Sequence, residues 1–217
     1  MLKGQDIVLL LRLVSLWRSD QTELLKLRTD AWEGWEHLSQ EDWHWDRRRP
    51  GFETYWRSSF TVRQLAADTG ISKTQVAISL QRSIEVGLVT SDRKTNLPKA
   101  NGLALYGILV HASRYLFPAK KGALARGIPT AMDAPVLSDV LFSGGTQPLV
   151  WAETTGKSYG QSIEPLIPSV PRAVKNDPML YATLALLDSL RVGQPRERAM
   201  SQAVLGRILD LPEAAIQ

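Results

Sequence analysis

The chain has 217 residues, 44% hydrophobic and 22% charged, a globular composition that excludes a chain disordered throughout. It contains no cysteine, which excludes disulfides, thiolate metal sites and a cysteine nucleophile, and which suits a reducing compartment. The formal net charge of +4 is compatible with a polyanionic partner but does not identify one.

The first segment predicts a helix from Gln5 to Arg18. Apolar residues recur there at helical spacing, and further leucines widen the stripe beyond one face. The stripe consists of Ile7, Leu10, Leu11, Val14 and Trp17. Such a helix needs cover on several sides, from the rest of the fold or from a dimer interface. Arg12 interrupts the apolar run and no cleavage site follows, so we expect a cytoplasmic protein without membrane association.

A tryptophan-rich insertion occupies about residues 20–60 of the sequence. It holds five of the seven tryptophans, namely Trp32, Trp35, Trp43, Trp45 and Trp56. We expect a short helix from about Thr22 to His37, and then a loop. The tryptophans either pack on the core or form a platform beside Arg47, Arg48 and Arg49 that stacks bases or docks a partner. His37 and His44 lack the spacing of metal ligands.

The stretch from Thr61 to Leu88 predicts two short helices around a tight turn. Thr61 and Ser72 each precede a glutamine by three residues, as in a capping box at a helix start. Gly70 suits a left-handed turn position. The second helix has an inner stripe of Val76, Leu80 and Ile84, and Gly87 ends it.

The residues "QLAADTGISKTQVAISLQRSIEVGLV" resemble the helix-turn-helix of bacterial winged-helix regulators, such as the MarR-like group. The resemblance implies that the second helix enters the major groove of double-stranded DNA. Polar side chains on its outer face would bond base edges, and Ala77 and Ile78 would touch thymine methyl groups. A basic loop follows as a short wing, because a helical pattern resumes near Asn101. The candidate DNA-binding residues are Arg63, Lys73, Thr74, Gln75, Ala77, Ile78, Gln81, Arg82, Arg93, Lys94 and Lys99.

The second half predicts a small α+β region. A helix ends near Pro118, and a segment rich in glycine, proline and alanine then suggests a boundary. A hairpin is expected from strands at Val150–Glu153 and Tyr159–Ile163. Two helices follow, one from Asp177–Pro178 to Gly193 and one from Pro195. Their shared core is predicted to contain Val150, Ile163, Leu180, Leu184, Leu187, Val204 and Ile208.

The predicted fold class is mainly α with a small β component. We divide the chain into a winged helix-turn-helix at 1–118 and a sensing, dimerisation or partner-docking region at 119–217. Phosphate-binding, nucleophile-elbow, zinc-protease and dinucleotide motifs are all missing from the sequence, so we expect no enzyme, cofactor or metal.

The first hypothesis is a sequence-specific DNA-binding transcription regulator that acts as a homodimer. The alternative is an antitoxin-like or defence-associated interaction protein whose winged helix serves docking or autoregulation. The second half would bind a protein partner or a small-molecule effector, the latter where Trp151 or Tyr159 meets the core.

Overall fold

The computed structural model describes residues 2–18, 26–35, 51–141 and 147–216. It is mainly helical with small sheets, which confirms the predicted fold class. The helices are α1 (Gly4–Arg18), α2 (Phe52–Ser58), α3 (Val62–Thr69), α4 (Lys73–Glu85), α5 (Gly102–Gly107), α6 (Ser113–Leu116), α7 (Val170–Ala173), α8 (Pro178–Val192) and α9 (Pro195–Ile208). The strands are β1 (Val89–Ser91), β2 (Pro98–Ala100), β3 (Lys121–Pro129), β4 (Leu149–Ala152) and β5 (Ser158–Ile163).

Helix α1 lies at the centre of the molecule. It packs against α3 and α4 on one side and against α8 on another, and residues Ile7–Leu11 are buried without a break. Arg12 joins these neighbours, because its guanidinium donates to Asp68 of α3 and to Asp177, the N-cap of α8. The cover that the wide apolar stripe requires therefore comes from the same chain, and α1 is not available as a dimer surface.

Helices α3 and α4 and the strands β1 and β2 follow one another as a helix, a turn, a helix and a two-stranded antiparallel hairpin. This is the order of elements that the sequence predicts for the stretch from Thr61 through the basic loop. The hairpin is short, with three residues in each strand, as the early return of a helical pattern predicted. After it, a π-helical turn at Ile108–Ala112 separates α5 from α6.

The second half contains a small closed barrel of β3, β4 and β5. The predicted strands near residues 150 and 160 both exist, but the predicted hairpin between them is wrong. Each pairs antiparallel with β3, and the two pair with one another in parallel at Leu149–Gln161 and Val150–Ser162. Strand β3, which was not predicted from the sequence, lies in the segment rich in glycine, proline and alanine after Pro118.

The two closing helices begin where their prolines predicted. Asp177 caps α8 by accepting a hydrogen bond from the Leu180 backbone N–H, and Gly193 follows its last residue. The residues predicted to share the core are all buried, namely Val150, Ile163, Leu180, Leu184, Leu187, Val204 and Ile208. One hydrophobic cluster runs from α1 to α9, so the predicted halves share a core. Separate folding of the two halves stays a prediction.

The predicted helix over Thr22–His37 is wrong for residues 26–35, where a single 3₁₀ turn at Thr29–Ala31 is followed by an extended Trp32. The backbone N–H of Arg28 bonds to Val136, a tertiary contact that replaces a helical one. Trp32 and Trp35 pack on one another and on Tyr181. Trp43, Trp45, Arg47, Arg48, Arg49, His37 and His44 lie outside the described residues.

Candidate nucleic-acid interface

Two side-chain caps define where the helix-turn-helix begins and turns. The Thr61 hydroxyl accepts a hydrogen bond from the Gln64 backbone N–H, and Ser72 does the same for Gln75, both at 3.3 Å. The glutamine side chains bond elsewhere instead of completing the capping boxes: Gln64 donates to Asp68, and Gln75 accepts from Gln5. Gly70 has φ +69°, the left-handed conformation that ends α3 and turns the chain into α4.

The outer face of α4 carries five of the candidate residues. Lys73, Thr74, Ala77, Ile78 and Gln81 are all exposed, as the helical periodicity predicted. The first turn contains no acidic residue. It combines the positive end of the helix dipole with the Lys73 ammonium group, an arrangement that favours a phosphate. The Gln81 side chain donates a hydrogen bond to Glu85 at 3.1 Å. The acidic residue beside this face therefore lies at the C-terminal end of α4.

Two candidates on α4, Arg82 and Gln75, lie on its inner side and bond to α1. The Arg82 guanidinium donates to both carboxylate oxygens of Asp6, at 2.6 and 2.8 Å, and so turns toward α1. Gln75 is half-buried and accepts a hydrogen bond from the Gln5 side chain at 2.8 Å. Both partners lie in α1, about seventy positions earlier in the sequence, where a local pattern cannot detect them.

The inner stripe of α4 also differs from the prediction. Val76 is buried and Leu80 is half-buried, but Ile84 is 57% exposed. Ser79 and Ser83 are the buried residues instead. The Ser79 hydroxyl donates to Asp6, which is itself fully buried and also accepts from the Lys3 backbone N–H. The contact between α4 and α1 is therefore polar at its centre. As a result, the side of α4 that faces α1 carries Ser79 and Ser83 and differs from the side predicted from the apolar residues.

The hairpin presents the remaining cations to solvent. Arg93, Lys94 and Lys99 are exposed, and so is Arg63 at the start of α3. Asp92 organises the tip, because its carboxylate accepts from the backbone N–H groups of Lys94 and Thr95 and from the Thr95 hydroxyl. These bonds, above all the one from the Thr95 backbone, hold the pKa of Asp92 below its ordinary value. The tip is thus a fixed turn that carries two adjacent cations.

Residues that the sequence did not mark hold the hairpin in place. The Trp17 indole N–H donates to the Pro98 carbonyl at 3.0 Å, and the Lys99 ammonium lies 5.2 Å from the centre of the same ring. The Arg57 guanidinium donates to the Thr95 carbonyl at 3.0 Å. Trp17 belongs to the apolar stripe of α1 and also packs against the core, and Arg57 lies in the tryptophan-rich insertion, where no motif marks it.

The two residues of the predicted effector site lie in different surroundings, and the site stays a prediction. Trp151 is buried and its indole N–H donates to Asp188 at 2.6 Å, whereas Tyr159 is 65% exposed on the outside of the barrel. No group of three or more histidine, aspartate or glutamate side chains is placed to hold a metal ion within the part of the chain that the structure describes. None of the helices described is long and apolar enough to cross a membrane.

Comparison of the chain with protein-family models, with curated proteins and with solved structures gives no significant match.

Proposed function

We propose that this protein is a sequence-specific, double-stranded DNA-binding regulator that reads the major groove with α4. The observation that carries the proposal is that one face of α4 is bound to the rest of the protein while the opposite face is exposed. Its inner face is docked on α1 through Asp6, while Lys73, Thr74, Ala77, Ile78 and Gln81 are free of the core on the outer face. A helix that presents its N-terminal half in this way fits the width of the major groove.

The charges around α4 support a duplex as the partner. Arg63 and the hairpin cations flank the helix, and they are suited to phosphate contacts that set the register of a protein on DNA. Thr74 and Gln81 supply hydrogen-bonding groups for base edges, and the Ile78 side chain and Ala77 methyl supply apolar contact for thymine methyl groups. With Arg82 committed to Asp6, Lys73 is the cation of this face, so base reading relies on neutral side chains.

The test is selection of binding sites from a random duplex library, followed by fluorescence anisotropy with the selected duplex. Substitution of Lys73, Thr74 and Gln81 together by alanine should abolish preference for the selected duplex. Each base contact is worth about 1–3 kcal/mol, or roughly 5- to 150-fold in affinity. The matched control replaces Arg196 and Arg207, two exposed arginines of α9, by alanine and should bind as wild type.

A wing substitution separates phosphate contacts from base contacts. Lys94→Ala should weaken binding to all duplexes alike and reduce the slope of log affinity against log salt by about 1. If the triple variant of α4 retains both the affinity and the preference of wild type, the assignment of α4 as the reading helix is wrong.

The proposal includes binding as a homodimer, since two half-sites strengthen a weak single contact. Because α1 is covered within the chain, the pairing surface has to lie elsewhere. Light scattering at micromolar concentration, with and without the selected duplex, tests this directly. A monomer under both conditions contradicts dimeric binding.

A second candidate function is a protein-docking module, the interaction protein of the alternative hypothesis. It is favoured by three apolar residues that are each more than half exposed where α4 ends and α5 begins, namely Ile84, Val86 and Leu103. The Asn101 side chain donates to the Gly87 carbonyl and brings these two ends together. Loss of a protein complex in Ile84→Ser, with duplex binding unchanged, would favour docking as the main role of the module.

A further inference from the structure

The charges of the chain are segregated along the sequence. From Arg93 to Met132 the chain has seven lysines and arginines and neither aspartate nor glutamate. All seven are exposed, and three of them belong to the hairpin discussed above. The other four lie beyond the winged unit, namely Arg114, Lys120, Lys121 and Arg126. Among the described residues, none of these four is in an ion pair, so their charge is not neutralised within the fold.

Two exposed tyrosines accompany these four cations. Tyr115 is 75% exposed and Tyr159 is 65% exposed. Tyr159 stands directly opposite Arg126 in the antiparallel ladder of β3 and β5, which places the two side chains as neighbours on the outer face of the barrel. The Arg114 guanidinium carbon lies 5.4 Å from the centre of the Tyr115 ring. Each tyrosine therefore has an arginine beside it.

The end of α6 adjoins the near end of the barrel, so the two tyrosine–arginine pairs lie on neighbouring elements, with Lys120 and Lys121 between them in the chain. Arg191 donates to the Phe117 carbonyl and to the Glu164 carbonyl, and Lys121 pairs with Ile163 in the ladder. The five residue steps from Lys121 to Arg126 span at most about 17 Å at the usual rise per residue, and the ladder is irregular between Lys121 and Leu124. We call Arg114, Tyr115, Lys120, Lys121, Arg126 and Tyr159 the tyrosine–cation strip.

Two acids border the strip. Glu164 is exposed just beyond Ile163, and Glu153 follows β4 with its backbone N–H bonded to the Arg126 carbonyl. The Glu153 carboxylate accepts a hydrogen bond from the Thr155 hydroxyl at 3.1 Å. The four cations of the strip outnumber these acids, so the surface suits a polyanion.

We propose that the tyrosine–cation strip is a second nucleic-acid site, which binds a single strand of DNA or RNA. Cations that follow the backbone and exposed aromatic rings on which bases stack are the two components of sequence-tolerant single-strand binding. A duplex keeps its bases stacked inside, so it has no use for the two tyrosine rings. The site lies outside the α4 face and goes beyond the function proposed above.

The experiment measures fluorescence anisotropy of the full chain with labelled dT20 and rU20. Tyr115→Ala with Tyr159→Ala should weaken binding at least about 5-fold for each base stack that is lost. Tyr115→Phe with Tyr159→Phe should bind as wild type, because phenylalanine retains the ring. Lys121→Ser with Arg126→Ser should reduce the salt slope by about 0.7 for each phosphate contact removed.

Matched controls separate this site from the helix-turn-helix. Arg196→Ser with Arg207→Ser removes two exposed cations elsewhere and should leave single-strand binding unchanged. The triple variant of α4 should lose the selected duplex but retain dT20 and rU20, whereas the strip variants should do the reverse. Circular dichroism confirms that each variant is folded.

Three results overturn the proposal. One is that wild type binds neither dT20 nor rU20 at about 50 mM salt. Another is that the double tyrosine-to-alanine variant binds both as wild type does, which would leave only unspecific attraction. The third is equal or tighter binding to vesicles containing phosphatidylserine with the same dependence on the strip, which would identify a membrane surface as the ligand.

Discussion

Helices α4 and α8 each contribute to an aspartate–arginine pair, but α4 is largely exposed and α8 is largely buried. Residues Met179–Arg191 of α8 are buried, whereas in α4 only Val76, Ser79 and Ser83 are. The pair Asp188–Arg191 lies within α8, with side chains 2% and 3% exposed. The pair Asp6–Arg82 ties α4 to α1, and its arginine is 20% exposed.

The same fold therefore contains one helix that is part of the core, α8, and one helix with an exposed face, α4. Burial raises the pKa of Asp188, while hydrogen bonds from Thr130, Trp151 and Arg191 act in the opposite direction. Its network lies inside the core, where Asp188 and Arg191 are bonded to one another and to their neighbours. The network at Asp6 holds α4 from one side, and the residues of the opposite face are exposed.

The largest loss of stability is expected when the aspartate–arginine pair inside α8 is broken. Asp188→Ala leaves Arg191 buried without its counter-charge, so the free energy of unfolding should fall by about 3–5 kcal/mol. Urea denaturation measures the loss. Glu53→Ala, which breaks the exposed pair with Arg57, is the control and should cost at most about 1 kcal/mol. Equal losses in the two variants would contradict the distinction between buried and exposed pairs.

A smaller loss of stability is expected when the Asp6–Arg82 pair, which holds α4 on α1, is broken. In Asp6→Ala, Arg82 can regain water, so the loss should be about 2–3 kcal/mol. Hydrogen exchange followed by mass spectrometry should show faster exchange in α4 than in α8, because the lost contacts belong to α4. Gln81→Ala is the control and should change stability by less than about 0.5 kcal/mol. Uniform acceleration across both helices would show that α4 is not a separately held element.

The buried serines of α4 sharpen the comparison further. The Ser83 hydroxyl has no hydrogen-bond partner among the described residues, whereas the Ser79 hydroxyl donates to Asp6. Ser83→Ala should therefore stabilise the protein by up to about 1 kcal/mol, helped by the better helix propensity of alanine. Ser79→Ala should destabilise it by about 1 kcal/mol. Thermal unfolding of the two variants checks the opposite signs, and a loss in both would contradict this account.

The smallest effect concerns the hairpin beside α4. Because the folded pKa of Asp92 is lowered, its contribution is present above the ordinary aspartate pKa and is lost as pH falls through the lowered value. The Thr95 amide resonance should follow this titration in wild type and stay flat in Asp92→Asn. The difference between wild type and Asp92→Asn should be confined to the hairpin tip, and the resonances of α8 should respond to pH alike in both proteins. A Thr95 amide that titrates equally in both proteins would contradict the assigned hydrogen bonds.

Much of the helix-turn-helix could be predicted because its signals are local. The caps at Thr61 and Ser72 each act over three residues, and the turn at Gly70 depends on the one residue type without a Cβ atom. The starts of α8 and α9 follow from their prolines for the same reason. The exposed outer face of α4 follows from helical periodicity alone.

Tertiary contacts decided the features that the sequence misassigned. Arg82 turns inward because the buried Asp6 accepts its hydrogen bonds. Ser79 also bonds to Asp6, so the side of α4 that carries Ser79 faces α1 and Ile84 is left exposed. Strand β3 exists because β4 and β5 both pair with it, although its own residues carry no strand pattern. A local pattern records which residues share a face of a helix or strand. Which face is buried depends on partners far away in the chain, and only the folded structure brings those partners together.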